Sequence, residues 1–248
     1  NKILNYFLKS KGVAKKDIME KYTPFGHSDY QTIVADIKKF AAGTPTAVVS
    51  TINGDSNVPF YKELGNQGLK AEDIPVVAFS VGEEELRGIA KPLVGHLAAW
   101  NYFMSIDTAE NKDFIKKWNA YVKKHKLPDG SKRVTNDPME ATYIGIKMWA
   151  QAVEQAGTTN IDAVRQAIGG QTVKSPSGFN ITMDAKNHHL HKPVVIGEIT
   201  ENGQFDVVWK TDGPIRAQAW SPFIPDSKEK VADWTYPWVC GNCKKAKF

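Results

Sequence analysis

The chain has 248 residues, 42% of them hydrophobic and 24% charged, with a formal net charge of +5. That length supports one large or two modest domains with a real core, and that composition excludes a disordered chain. No apolar run approaches the roughly 18 residues of a membrane span. The lysines fall in scattered pairs (Lys38-Lys39, Lys116-Lys117, Lys123-Lys124) rather than in one basic patch, so no nucleic-acid partner is expected.

The chain begins at Asn1 rather than Met, and "NKILNYFLKSKG" predicts a helix with Ile3, Leu4, Phe7 and Leu8 on one face. An α/β sheet normally opens on a strand, so a processed or truncated chain is expected, its signal peptide removed or absent. Ser28 and Gln31 read as a capping box before a helix carrying Ile33, Val34, Ile37, Phe40 and Ala41, which Gly43 and Pro45 end. "TAVVST" (46–51) predicts a strand, "NGDS" a turn into a helix through Tyr61 and Leu64, and "IPVVAFS" (74–80) a second strand. "VGEEELRGI" predicts a turn and helix, and "LVGHLAAW" (93–100) a third strand. Short apolar strands with helical crossovers point to a doubly wound parallel sheet.

From Asp107 the pattern turns helical. Asp107 and Glu110 read as the start of a helix carrying Phe114, Ile115, Trp118 and Val122. Asp137-Pro138 opens a longer helix, with Pro138 in the first turn where its missing N–H costs nothing. Asn160 caps "IDAVRQAI", which Gly169-Gly170 ends. "FNITMD", "PVVIGEI" and "FDVVWK" then read as strands, the last two joined by an Asn-Gly hairpin turn in "TENGQ". Residues 221–248 read as an irregular tail.

Three clusters invite chemistry. His188, His189 and His191 hold half of the six histidines, but in an extended stretch His188 points away from the other two, so packing is expected rather than a metal site. Cys240 and Cys243 supply only two of the four ligands of a structural zinc, leaving a disulfide or two free thiols open. Acids at 83–85 read first as partners of a helix N-terminus, for Glu83 and Glu85 above all. No nucleophile elbow, Gly-rich phosphate loop or Cys/His pairing appears, so neither enzymatic activity nor a cofactor is expected. "STINGDS" and "FSVGEEE" each follow the carboxyl end of a strand, where open sheets bind ligands. Their hydroxyls, carboxylates and backbone N–H groups suit a small neutral polar molecule. Trp100 and Tyr102 share one side and read as either core or an aromatic wall.

The segments "YTPFGHSDYQTIVADIKKF", "VVSTINGDSNVPFYKELGNQG", "PVVAFSVGEEELRG", "VGHLAAWNYFMSID", "RVTNDPMEATYIGIKMWAQAVEQAG" and "NHHLHKPVVIGEI" follow one another as in the substrate-binding proteins of urea ABC transporters. The chain thus resembles the later portion of the amide and branched-chain amino-acid branch of type I periplasmic binding proteins. The resemblance implies two doubly wound parallel-sheet lobes joined by three crossing strands, with most of the first lobe absent here. Residues 1–103 and 190–220 would form the second ligand-binding lobe, 104–189 the returning part of the first, and 221–248 the tail. It further implies capture of urea or a short amide and delivery to a membrane ABC permease. The place would be the periplasm or cell exterior, with lipid anchoring through an upstream N-terminus as one option. A missing N-terminal lobe segment of the same protein would be a further partner. The expected ligand-binding residues are Asn53, Asp55, Ser80, Val81, Gly82, Glu84, Trp100 and Tyr102. Ser80, Val81 and Gly82 would donate, Asn53, Asp55 and Glu84 accept, and the rings wall the site. The alternatives are a cytosolic amide-sensing regulator of the same fold and a metallohydrolase built on the histidines.

Overall fold

A computed structural model describes residues 1–87 and 91–229. Among the described residues, Asn1–Met19 with residues 218–229 form one compact unit, and Glu20–Ala217 forms the other apart from the undescribed residues 88–90. In the first unit α1 (Lys2–Ser10) follows the predicted apolar spacing. Phe7 meets Phe223 edge-on with ring centroids 5.2 Å apart. Cys240, Cys243 and most of the predicted tail lie outside the described residues.

The larger unit holds two sheets. The first runs in the order β1 (Val48–Ser50), β2 (Val76–Ala78), β3 (Leu97–Trp100), β7 (Val195–Ile199) and β8 (Phe205–Lys210). The pairs β1–β2 and β2–β3 are parallel, whereas β3–β7 and β7–β8 are antiparallel, so the sheet is mixed. The second sheet is β4 (Thr172–Lys174), β5 (Asn180–Met183) and β6 (Leu190–His191), all antiparallel. Neither β4 nor β6 is predicted, since Thr172–Lys174 has a single apolar residue between two polar ones and Leu190–His191 is only a pair, without the apolar run that marks β1 and β2.

Helices α2 (Gln31–Phe40) and α3 (Asn57–Asn66) bury Val34 and Ile37, and Phe60, Tyr61 and Leu64. A chain of rings, Tyr30 to Phe60 to Tyr61 to His96, with centroids 5.4, 5.2 and 5.5 Å apart, carries this packing to the start of β3. His96 Nδ1 accepts the Val76 N–H at 3.0 Å, and burial pushes its imidazole pKa down to about 4, so it stays neutral. The second core joins α5 (Asp137–Ala156) to the small sheet through Ile144, Met148, Val173 and Ile181. Phe114 of α4 (Ala109–His125) meets Tyr143 at 4.8 Å, and α6 (Ile161–Ile168) packs on α5.

Several predicted caps move. Tyr30, not Ser28, precedes α2, and Asp29 Oδ1 accepts the Gln31 N–H at 3.2 Å instead. Thr108, one residue after Asp107, caps α4 by accepting Asn111 N–H at 3.1 Å. Asn160 caps α6 as predicted, accepting from Asp162 and Ala163. Residues 83–87 form turns rather than a helix; Glu83 accepts a tertiary hydrogen bond from Met104 N–H, whereas Glu85 accepts locally from Gly82 N–H. The 200–204 hairpin turn forms as predicted, with Gly203 at φ +72°.

Gly197 on β7 is where two rings close over the backbone. A Cβ there would lie 2.8 Å from both Phe103 Cε2 and Phe205 Cβ, whose rings stack with centroids 4.3 Å apart. Gly197→Ala is therefore expected to destabilise by about 1–3 kcal/mol in guanidinium unfolding. Gly145→Ala on α5, where a Cβ meets nothing within 4 Å, should instead stabilise by about 0.5–1 kcal/mol.

Candidate functional site

The loops that leave the carboxyl ends of β1 and β2 lie together. Ser80 Oγ donates to the Ile52 carbonyl, which also receives Asn57 Nδ2 at 3.0 Å. Asn57 Nδ2 reaches Gly54 O at 3.1 Å as well, so the first residue of α3 gathers the loop before it. A short 3-10 turn, Gly54–Ser56, leaves Asn53 and Asp55 exposed at the tip. Both are acceptors facing water.

The second loop is held more tightly. Val81 is fully buried, and its carbonyl accepts Trp100 Nε1 at 2.7 Å. Gly82 N–H donates to Glu85 Oε2 at 2.8 Å. The Ser80 hydroxyl and the Gly82 amide, both expected as ligand donors, are thus donated inward in this conformation. Glu84 is exposed and pairs with Arg87 at 2.6 Å, while Arg87 also reaches Asp129 at 2.9 Å. Those two carboxylates raise the guanidinium pKa further, and Arg87 in turn lowers that of Asp129. Trp100 is half-buried beside this loop. Tyr102 is not: it is fully buried, and its hydroxyl lies 2.7 Å from Asn111 Oδ1 and 2.8 Å from Thr135 Oγ1. Tyr102 therefore packs as core, and burial raises its phenol pKa.

Beneath the loops lies a buried charge network that no local pattern announced. Lys192 Nζ sits 2.7 Å from Glu140 Oε2 and 3.8 Å from Asp137 Oδ1, with 9% of its side chain exposed against 0% for Glu140. Ser175 Oγ donates to Glu140 Oε1 and lies 3.0 Å from Ser177 Oγ. Asp137 Oδ1 accepts Asn101 N–H at 3.0 Å, and Asn101 Nδ2 donates to Pro193 O at 2.6 Å. Burial raises the Asp137 carboxyl pKa, and Lys192 opposes that rise. Glu83 reaches toward the same region, its Oε1 accepting Met104 N–H at 2.5 Å. In sequence Asp137 is read only as the start of a helix, and Glu140 is not singled out. The partner of Glu140 is 52 residues away, which no periodicity reveals.

The histidine run separates. His188 adopts φ +55°, which breaks the regular strand assumed from the alternation. His188 and His189 are exposed, and His191 Nε2 lies 3.2 Å from Asp184 Oδ2. The Lys186 N–H, and then His191, hold the Asp184 carboxyl below its usual pKa. Among the described residues, no group of three or more His, Cys, Asp or Glu side chains is placed to hold a metal. Also among them, no helix is long and apolar enough to cross a membrane.

A family model described as periplasmic binding protein domain matches residues 1–226. A protein named limonene hydroxylase from Geobacillus stearothermophilus is 34% identical over 148 residues, which is 59% of this chain and 26% of that protein. Leu/Ile/Val-binding protein homolog 6 of Brucella melitensis biotype 1 is 22% identical over 182 residues, 72% of this chain and 44% of its own length. A crystal structure of a solute-binding protein of an ABC transporter from Rhodopseudomonas palustris HaA2, in complex with p-hydroxybenzoic acid, superposes with a TM-score of 0.64. It shares 22% identity and covers 77% of this chain and 51% of that one. This chain therefore spans about half or less of the length of these relatives. The structural likeness at that identity shows a shared fold.

Removing Lys192 would leave Glu140 buried and uncompensated. Lys192→Met is expected to cost about 3–5 kcal/mol in guanidinium unfolding, with much of the loss recovered when Glu140→Gln is added. An additive double variant would show that the two side chains do not act as a pair.

Proposed function

The chain belongs to the periplasmic binding protein domain family and has its type I α/β fold, and from that premise we propose that it is the substrate-binding component of an ABC importer. The proposed ligand is urea or a short-chain amide, bound without catalysis and passed to a membrane permease. The protein would work in the periplasm or outside the cell. The observation that carries the ligand reading is the polar character of the two loops. Asn53 and Asp55 present exposed acceptors in the loop after β1, and the basic side chain of the loop after β2, Arg87, is already bridged by Glu84 and Asp129. Urea offers two NH2 groups and one carbonyl oxygen, so acceptors should outnumber donors around it. A carboxylate ligand would instead want an uncommitted cation in these loops.

In this proposal Asn53 and Asp55 accept from the ligand and Trp100 supplies a wall. Val81 and Gly82 shape the loop, and Glu84 joins the site only if it leaves Arg87. Ser80 acts by tying the loop after β2 to Ile52, and can turn to a ligand only by giving up that bond. Residues 1–103 and 190–220 would form the second lobe and 104–189 the returning part of the first. An upstream segment of the same protein would complete that first lobe, covering the face of α5 where Ile146 and Trp149 are 62% and 49% exposed. Closure of the lobes would be selection of a closed state by a bridging ligand. The family match over residues 1–226 supports solute binding over hydroxylation, since the hydroxylase likeness takes in only 26% of that protein.

Calorimetric titration of urea, acetamide, leucine and p-hydroxybenzoate tests the reading. Urea should bind the upstream-extended protein and should bind this chain alone far more weakly, because one face leaves much of the ligand in water. In the extended protein Asp55→Asn and Asn53→Ala should each weaken urea about three- to tenfold, the worth of one hydrogen bond of roughly 0.5–1.5 kcal/mol. Binding of leucine or p-hydroxybenzoate with no response to urea or acetamide would sink the amide assignment.

A further inference from the structure

The loop after β2 is fastened to β3 and the segment that follows it by two hydrogen bonds, both accepted by the loop. Trp100 Nε1 donates to the Val81 carbonyl at 2.7 Å, and Met104 N–H donates to Glu83 Oε1 at 2.5 Å. The first uses a side chain of the strand and the backbone of the loop; the second reverses those roles. Glu83 is 1% exposed, although it stands between Gly82 and the exposed Glu84 in a surface loop. A carboxyl group is the costliest acidic side chain to hide, and an amide carbonyl could have accepted the same bond.

Its surroundings make the seat conditional. Asp137 faces it from α5, Glu85 from its own loop and Tyr102 from the segment after β3, and the first two add negative charge. Glu140, the next acid along α5, and Lys192 lie beyond, and the Lys192 amine is committed to Glu140 and Asp137. No cation is left to compensate Glu83 within this group.

We propose that Glu83 is a positioning residue for the binding loops: seated on the Met104 amide it holds the loop after β2 against the segment after β3, and when it ionises it is drawn out to water and the loop loosens. Its effect on ligand rests on the function proposed above, whereas the fastening itself does not. The direction follows from burial, which pushes the Glu83 carboxyl up to about 7 from the 4.5 of a solvated side chain. A group whose seated pKa is raised favours the seated state at low pH. The loop is therefore most firmly held below pH 4.5, loosens as pH rises from there to about 7, and changes little above.

Hydrogen exchange at the Met104 amide of the 248-residue chain reads this without any ligand, once the intrinsic base dependence of exchange is divided out. Protection should fall about ten- to hundredfold between pH 5 and 7 and then level off. In Glu83→Gln the fall should vanish. In Asp137→Asn it should level off at a lower pH, because a neighbouring negative charge is gone, and this variant keeps the test available if Glu83→Gln folds poorly. Identical profiles in the parent and Glu83→Gln, or no displacement in Asp137→Asn, overturn the proposal. Urea affinity of the upstream-extended protein forms the second arm and should weaken across the same window in the parent but not in Glu83→Gln. Met104 protection that titrates in a protein deaf to urea supports the fastening and overturns only the urea reading.

Discussion

An ammonium group cannot leave water without a partner, and the larger unit is organised around how Lys192 meets that constraint. Its amine lies between Glu140 and Asp137 where four stretches of chain converge: 101–104, the first turn of α5, 175–177 and 192–193. Each stretch supplies one part of the solution. Ser175 satisfies the second oxygen of Glu140, the Asn101 amide satisfies Asp137, and Asn101 returns to the Pro193 carbonyl. Because an unpaired buried charge costs several kcal/mol, these segments are fixed relative to one another far more strictly than apolar contact alone would require.

The apolar packing on either side is more tolerant but has its own tight points. Rings from Tyr30 to His96 bind two helices to the five-stranded sheet, and a neutral His96 can join that core because its Nδ1 closes the orphaned start of β2. Gly197 lets Phe103 and Phe205 stack directly on the β7 backbone. The Phe103 ring thereby ties the segment that leaves β3 to the β7–β8 hairpin. The loops at the carboxyl ends of β1 and β2 inherit their positions from this frame and add few constraints of their own.

Those loops show an uneven division of polar groups. The loop after β1 turns Asn53 and Asp55 outward, whereas the loop after β2 turns nearly everything inward: Ser80 to Ile52, Gly82 to Glu85, Val81 to Trp100 and Glu83 to Met104. One loop is thus open to water at its tip and the other is fastened to the frame.

Local chemistry in the sequence determined most of the helices, their approximate ends and the strands that carry an apolar run, β1, β2, β3, β5, β7 and β8, because apolar spacing, Asn160 and the Asn202-Gly203 turn act over a few residues. It also carried the family resemblance and located the two candidate loops, since those follow directly from strand ends. Tertiary structure alone decided what the acids of those loops do. Glu83 looked like a partner of a helix N-terminus, yet no helix forms at 83–87 and its carboxylate accepts Met104 N–H, 21 residues on, while Glu85 stays local on Gly82 N–H. Tyr102 stood open between wall and core until Asn111 and Thr135 enclosed its hydroxyl. The histidines lost their shared strand when His188 adopted a left-handed backbone. Of Lys192, Asp137 and Glu140, the sequence singled out only Asp137, as the start of a helix. A pairing across 52 residues is decided by where desolvated charges can find each other, and that is a property of the folded chain rather than of any window of sequence.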